Sequence, residues 1–484
     1  MWLLMPVLLF ISFWYRAYIS LPVIALTLYS VYRIFFKKKD GNVSLRDIRE
    51  AGFRNVAISW QWWIVMTIGA IYVLMNGIGG LYYQAPGDHW WRNAVLYDLC
   101  YRPWPIVYNE IPDWEILTYY LAYWLPAAGI GNLCHSYFIG SISLYLYSVW
   151  GVFIILNLMI SISGEKPSYW LIVLLFIFFD AWEIPLIKIL HPVTIDTAED
   201  IWSPHLLWME STISHTLPCN RIMLSFTYNQ GFPTWVAMLL MWHQRKDLKT
   251  LFFTYSLLFP MAPFPFMCLL PYMAYLMVKN IRITLTLENI TGIMLIGVTA
   301  LYFMTNSRAG GINIARSEGS AWAVLKNGLV YTIIAYGVYL PFIWEKVKGS
   351  GLFWSMMAVA FVAPFIQFNQ SMDLGNRIGF PLTIYITVAL CQTIPYWKRG
   401  VSLKECLFWV IFCIGGIMPA YQLLYGIRGE RRHLKWGEPL TQDLLIGKLN
   451  DQSKNCYYDN FIGSGESFYV KWMMPRKEEK GEGN

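Results

Sequence analysis

Apolar runs of membrane length recur along this chain, and short polar segments separate them. The first two runs, residues 2–15 and 17–36, meet at Arg16 and predict a tight hairpin of two helices. A third run, from Trp60 to Leu81, is long enough to cross a bilayer, which takes about 20 residues of helix. Because backbone polar groups in lipid must be satisfied within their own segment, these runs predict membrane helices.

Later parts of the chain repeat the pattern, in runs at residues 137–161, 169–188, 231–243, 266–278, 323–344 and 379–397. Residues 115–131 are apolar but short, and we interpret them as a juxtamembrane helix, although a full crossing stays open. The pattern predicts an all-α polytopic membrane protein with about 11–13 membrane helices.

Basic residues gather in alternate loops, which indicates a single orientation from residue 231 onward. These loops carry Arg245, Lys246, Lys249, Lys279, Arg282, Lys346, Lys348, Lys398 and Arg399. With them on the cytoplasmic side, the outer loops are residues 82–114, 191–230, 305–322 and 366–378. We therefore predict a transmembrane domain over residues 1–425 and a polar outer tail over residues 426–484.

Composition supports a membrane protein, since 56% of the residues are hydrophobic and only 14% are charged. Soluble domains carry about 25% charged residues. The net charge is +7, but the basic residues lie between the apolar runs, so this charge does not indicate a nucleic-acid partner. The eight cysteines form no CxxC pair and no zinc spacing. Cys100, Cys219 and Cys456 fall outside in this topology, and a disulfide among them stays open.

One polar segment stands out, because it follows the third apolar run directly and combines acidic, basic and amide side chains. It contains Asp88, His89, Arg92, Asn93 and Asp98. A carboxylate held at the water–lipid boundary can act on a substrate whose tail stays in lipid. Two structural alternatives remain: a solvated loop with an aromatic belt, and pairing of Asp98 with Arg92 or Arg102 in a structural network.

Other outer loops add His205, Arg308, Asn376 and Arg377 to this face. Glycosyl transfer needs such a mixture, because a carboxylate takes the acceptor proton and arginines hold the leaving phosphate. Outer arginines run against the positive-inside trend and call for partners such as a lipid phosphate. A structural or surface role for His205 is the alternative.

Three stretches resemble motifs of the GT-C superfamily of polyprenyl-phosphate-sugar-dependent glycosyltransferases, and of its uncharacterised bacterial multi-pass members in particular. They are Gly87–Leu99 with Trp104-Pro105 beyond, Trp202–His205, and Asn369–Pro381. The chain departs from these motifs at His89, Arg92 and Gly379, and it lacks a Gln before His205. The likeness spans roughly residues 60–400.

The resemblance implies a GT-C-like helical bundle in a bacterial inner membrane, with the active face outside the cytoplasm. It implies a lipid-linked sugar donor and a glycan, lipid or protein acceptor, with Asp88 as general base or metal-positioning acid and Asp98 in support. His89, Arg92, Asn93, His205, Arg308, Asn376 and Arg377 would bind substrate. A divalent cation stays open, as do a transporter or flippase and a polymerase or ligase of lipid-linked glycans.

Overall fold

The computed structural model describes residues 1–36, 59–82, 89–108, 115–164, 167–180, 182, 220–306, 312–314, 329, 332–368, 373–396, 402–428 and 461–475. This part of the chain is mostly helical. Its helices are α1 (Leu4–Trp14), α2 (Ala17–Phe36), α3 (Trp60–Met75), α4 (His89–Tyr101), α5 (Leu125–Leu133), α6 (Tyr137–Ile162), α7 (Tyr169–Phe178), α8 (Asn220–Gln244), α9 (Leu251–Ser256), α10 (Pro263–Lys279), α11 (Ile281–Thr284), α12 (Leu287–Phe303), α13 (Leu340–Val347), α14 (Gly351–Val362), α15 (Asp373–Arg377), α16 (Phe380–Thr393), α17 (Leu403–Arg428) and α18 (Phe468–Trp472).

Two small antiparallel sheets accompany the helices. Strands β1 (Val107–Tyr108), β2 (Glu115–Leu117) and β5 (Ile462–Ser464) form one sheet, and β3 (Ile312–Ile314) pairs with β4 (Ile366–Phe368) in the other. In the first sheet Val107 lies opposite Ile116, and Leu117 lies opposite Ile462. The sheet therefore joins the segment after α4 to residues far down the chain.

Three of the described helices are long and apolar enough to cross a membrane: Ala17–Phe35, Tyr137–Ile162 and Leu403–Tyr421. Shorter apolar helices accompany them at Leu4–Trp14, Trp60–Met75, Tyr169–Phe178, Leu287–Phe303, Gly351–Val362 and Phe380–Thr393. The chain is a multi-pass membrane protein. The predicted helix hairpin before residue 36 is confirmed, with α1 and α2 meeting at Arg16.

Several predicted loops contain regular structure. Residues 82–114 hold α4 and β1, and helix α8 begins at Asn220, inside the stretch predicted as the second outer loop. Residues 115–131 form β2, a 3-10 turn over Leu121–Trp124 and the start of α5, where we expected one juxtamembrane helix. Pro126 explains the late start of α5, because proline fits only the first turn of a helix.

Three of the basic loops, residues 245–249, 279–282 and 346–348, lie together at one end of the bundle, which we call the basic end. The Thr286 hydroxyl donates to the Lys249 carbonyl, and Arg33 pairs with Glu288 at 3.1 Å. The Gln392 amide donates to the Ile162 carbonyl, which brings the last turns of α16 and α6 to the same level. Segments far apart in sequence thus meet at this end of the bundle.

The opposite end, which we call the site end, holds the first sheet and the last described residues. The Thr118 and Thr305 hydroxyls lie 3.0 Å apart, and the Ser464 N–H donates to the Thr305 carbonyl. Arg16 Nε donates to the Met474 carbonyl. Residues 461–475 of the polar tail are therefore a cap across the ends of α2 and α12.

Helices α5 and α6 form a hairpin around Cys100 of α4. A Cβ at Gly131 would lie 2.5 Å from Cys100 Sγ, and one at Gly140 would lie 2.6 Å from it. Both glycines are needed, because real Cβ atoms do not approach other atoms so closely. Cys100 is a free buried thiol whose pKa burial raises to about 12. It takes no part in a disulfide here, while Cys219 and Cys456 lie outside the described residues.

This packing predicts that Gly140→Ala lowers the free energy of unfolding by about 1–3 kcal/mol, because the added methyl overlaps Cys100 Sγ. Cys100→Ala removes that atom, and the next neighbours of a Gly140 Cβ lie at 3.6 and 3.9 Å. The double variant should therefore regain most of the loss in detergent unfolding curves. Gly297→Ala is the control, since its Cβ meets nothing within 4 Å. A double variant as unstable as Gly140→Ala would contradict the contact.

Candidate functional site

Helix α4 carries most of the candidate residues, and its first turns are buried. His89, Arg92 and Asn93 are 0%, 1% and 2% exposed. Their spacing of three and four residues puts them on one face of the helix. His89 is the first described residue of α4, so these side chains lie in the first described turns of the helix.

His89 contacts helix α8. Its Nε2 lies 3.3 Å from the carbonyl oxygen of Leu224, which can only accept a hydrogen bond, so Nε2 carries the proton. The imidazole meets the Tyr228 ring edge to face, with centroids 5.1 Å apart. Tyr228 is fixed in turn, because its hydroxyl accepts a hydrogen bond of 3.0 Å from Trp124 Nε1. Arg92 is close enough to Tyr228 to act electrostatically on its hydroxyl.

Arg377 lies at the end of α15 and is 7% exposed. Its Nη1 donates to the Tyr120 hydroxyl. Its Cζ lies 5.7 Å from the ring centroids of both Tyr120 and Phe264, within the range of a cation–π interaction. The rings of Tyr120 and Phe264 and the Tyr120 hydroxyl therefore all contact the guanidinium group of Arg377.

A series of ring contacts connects Arg377 with His89, and we call these rings the aromatic wall: Tyr119, Tyr120, Trp124, Tyr228 and Phe264. Tyr119 lies 3.8 Å from Tyr120 and 6.0 Å from Trp124 between ring centroids, and Trp124 lies 6.1 Å from Tyr228. The wall brings two stretches predicted to bind substrate, after Gly87 and before Pro381, to one cluster. We call the wall with His89, Arg92, Asn93 and Arg377 the candidate site.

Asp98 lies away from this cluster. Nine residues separate it from His89, which amounts to roughly 13 Å along the helix and a half-turn around it. Asp98 is fully buried and accepts a 2.7 Å hydrogen bond from the Tyr108 hydroxyl. The Arg102 guanidinium lies 5.0 Å from the centre of the Tyr108 ring. These contacts join α4 to strand β1, so the geometry favours the structural alternative for Asp98.

Three predicted site residues, Asp88, His205 and Arg308, lie outside the described residues. Asn376 lies in α15, where only its backbone is described. Of the substrate-binding candidates, the structure therefore brings His89, Arg92 and Arg377 to one aromatic wall, and Asn93 shares the helix face of His89. The described residues contain no group of three or more His, Cys, Asp or Glu side chains that could hold a metal ion.

Sequence reasoning missed the wall and a pair of buried amides beside it. Asn229 and Gln230 follow Tyr228 in α8, and both are fully buried. No side-chain nitrogen or oxygen of either has a hydrogen-bond partner among the described residues. Leaving such a group unpaired costs about 1–3 kcal/mol. Two amides at the start of an apolar run were a usable signal, but the predicted loop 191–230 included both.

A groove of about 560 Å³ lies apart from the candidate site. Its lining is apolar and comes mainly from α7, together with Ile394, Pro395 and Trp409. The groove is lined by Ser168, just before α7, and by Ile394 and Pro395, just after α16. It therefore lies towards the basic end. We do not include it in the site.

Comparisons with protein-family models, with curated proteins and with solved structures find no match for this chain. The geometry and the chemistry of the side chains therefore carry the functional argument.

The Asp98–Tyr108 hydrogen bond predicts non-additive losses of stability. Asp98→Asn and Tyr108→Phe should each destabilise the protein, and together they should cost less than the sum. The expected coupling is about 1.5–3 kcal/mol, the range for hydrogen bonds to charged groups. Unfolding of the four proteins in detergent measures it. Strictly additive losses would show that the two side chains act independently.

Proposed function

We propose that this chain is a membrane glycosyltransferase with a GT-C-like bundle of about 11–13 spans. It moves a sugar from a polyprenyl-phosphate donor to a glycan, lipid or protein acceptor. The supporting observation is the burial of Arg92 and Arg377 against one aromatic wall at the site end. Charged side chains inside an apolar bundle are expensive and mark functional sites.

The wall and the cations suit the two halves of such a donor. Guanidinium groups and a helix N-terminus bind phosphate, and α4 supplies the helix. Aromatic faces suit the apolar side of a sugar ring, and the isoprenoid tail stays among the apolar helices. Arg308, His205 and Asn376 are further proposed contacts of the donor.

Asp88 is the proposed general base, one peptide bond before His89. Its carboxylate takes the proton of the acceptor hydroxyl as the acceptor oxygen bonds to the anomeric carbon. The bond between that carbon and the phosphate oxygen breaks, and polyprenyl phosphate leaves with its negative charge opposite the arginines. Asp88 as an acid that positions a divalent cation is the variant of this mechanism that stays open.

The separation of the two ends supports an orientation. Basic loops stay in the cytoplasm, so the site end faces outward. In the bacterial inner membrane that side holds acceptors for lipid-linked sugars, in line with the motif resemblance.

One feature favours a transporter or flippase of lipid-linked glycans as the second candidate. Helix α8 is interrupted at Thr227, where φ is −142° and ψ is 39°, and it contains Pro233. Broken helices form the substrate sites of many transporters. A polymerase or ligase would use the same donor chemistry as the transferase.

Asp88→Asn tests the chemistry directly. We expect kcat for sugar transfer to fall by about 10²–10⁴-fold, since the acceptor loses its general base, while donor binding persists. The assay follows labelled sugar from a panel of polyprenyl-phosphate sugars in nanodiscs with a broad acceptor panel. Asp247→Asn, at the basic end, is the matched control. Equal turnover in Asp88→Asn removes Asp88 from the mechanism, and wild-type binding without turnover supports the transporter.

Arg377→Lys tests the phosphate contact. Lysine keeps the charge but lacks the planar fork that reaches Tyr120, so the Kd for polyprenyl phosphate should rise about tenfold to a hundredfold. Binding is measured by titration in nanodiscs. Arg245→Lys, which removes a guanidinium stacked on Trp242 at the basic end, should leave this Kd unchanged. An unaltered Kd in Arg377→Lys would separate Arg377 from the phosphate.

A further inference from the structure

Helix α8 has a polar break within a largely apolar environment. Thr227 leaves helical geometry, and Pro233 lacks the N–H that would bond the Asn229 carbonyl in a regular helix. Between them stand Asn229 and Gln230, both fully buried. Four polar side-chain atoms are therefore enclosed where the backbone is also interrupted.

None of these four atoms has a hydrogen-bond partner in the part of the chain that the structure describes, and in no other buried amide of that part do both side-chain polar atoms lack one. The buried amide of Asn289, by contrast, accepts from the Phe253 N–H and donates to the carbonyls of Leu248 and Thr284. Nearly all buried polar groups in native proteins find a partner, so the Asn229–Gln230 pair points to a ligand or ordered water.

The pair adjoins the candidate site. Tyr228, the preceding residue, contacts His89 and Trp124. The rings of Trp242 in α8 and Tyr385 in α16 lie 4.7 Å apart. The helix that carries the amide pair therefore packs against the helix that follows Arg377 in the chain.

We infer that Asn229 and Gln230 bind hydroxyl groups of the sugar carried by the lipid donor, and so select the sugar. Each amide offers two N–H donors and a carbonyl acceptor, and a sugar hydroxyl both donates and accepts. A neutral amide pair suits hydroxyls, whereas the nearby guanidinium groups suit the phosphate. This inference rests on the proposed function and assigns one part of its substrate to named residues.

The test compares two lipids, polyprenyl phosphate and the same lipid carrying glucose, galactose or mannose. For wild type in nanodiscs, we expect at least one sugar to lower the Kd relative to the bare lipid. Asn229→Leu and Gln230→Met keep the shape and remove the hydrogen bonds. They should raise the Kd of that sugar-bearing lipid about tenfold and leave the Kd of bare polyprenyl phosphate unchanged.

Thermal unfolding of the ligand-free variants separates binding from structure. Replacing unpaired buried amides by apolar groups of the same shape should leave the Tm unchanged or raise it. The control Asn289→Leu breaks three hydrogen bonds and should lower the Tm. Asn229→Ala serves as a smaller substitution if leucine prevents folding. A Tm that falls in the amide variants, as in the control, would show bound water with a structural role and overturn the inference.

The inference and the proposed function fail in different ways. Transfer activity in wild type, with the same sugar preference in all variants, would overturn only the sugar contacts of Asn229 and Gln230. A sugar preference that the variants lose, without transfer to any acceptor, would support these contacts and overturn the transferase. Equal binding of bare and sugar-bearing lipids by wild type would also overturn the inference.

Discussion

Arg92 and Arg377 remain charged at physiological pH, yet both are almost fully buried in a chain of mainly apolar side chains. Burying such groups is unfavourable unless hydrogen-bond acceptors, aromatic ring faces or dipoles nearby offset the loss of hydration. The aromatic wall provides part of that compensation at Arg377, through the Tyr120 hydroxyl and two ring faces. Much of the packing at the site end holds these rings in place.

Helix α4 positions part of the aromatic wall through contacts at both of its ends. The C-terminal half of helix α4 is held by the Asp98–Tyr108 hydrogen bond and by the packing of Cys100 between two glycines. Its N-terminal end contacts α8 through His89. One short helix therefore carries structural contacts near its C-terminus and candidate site residues near its N-terminus. Asp88, which precedes α4 in sequence, and Asp98, which lies within it, accordingly have separate expected roles.

Local patterns predicted a mostly helical chain with long apolar helices and the helix hairpin at Arg16. These features depend on runs of apolar residues and on charge, which neighbouring residues carry. The candidate site was predicted only in part. His89, Arg92 and Asn93 share a helix face, whereas the contact of Tyr120 with Arg377 joins segments far apart in sequence. No periodicity encodes such a contact, because it depends on how helices pack.

The closing element of the site comes late in the chain. Phe461 stacks on Trp91 and on Tyr119, and β5 follows it to complete the sheet with β2. A ribosome makes these residues after every apolar helix of the structure. The helices must therefore form with the Trp91 and Tyr119 rings not yet covered by Phe461. Order of synthesis thus keeps this end of the molecule open until residues 461–464 have been made.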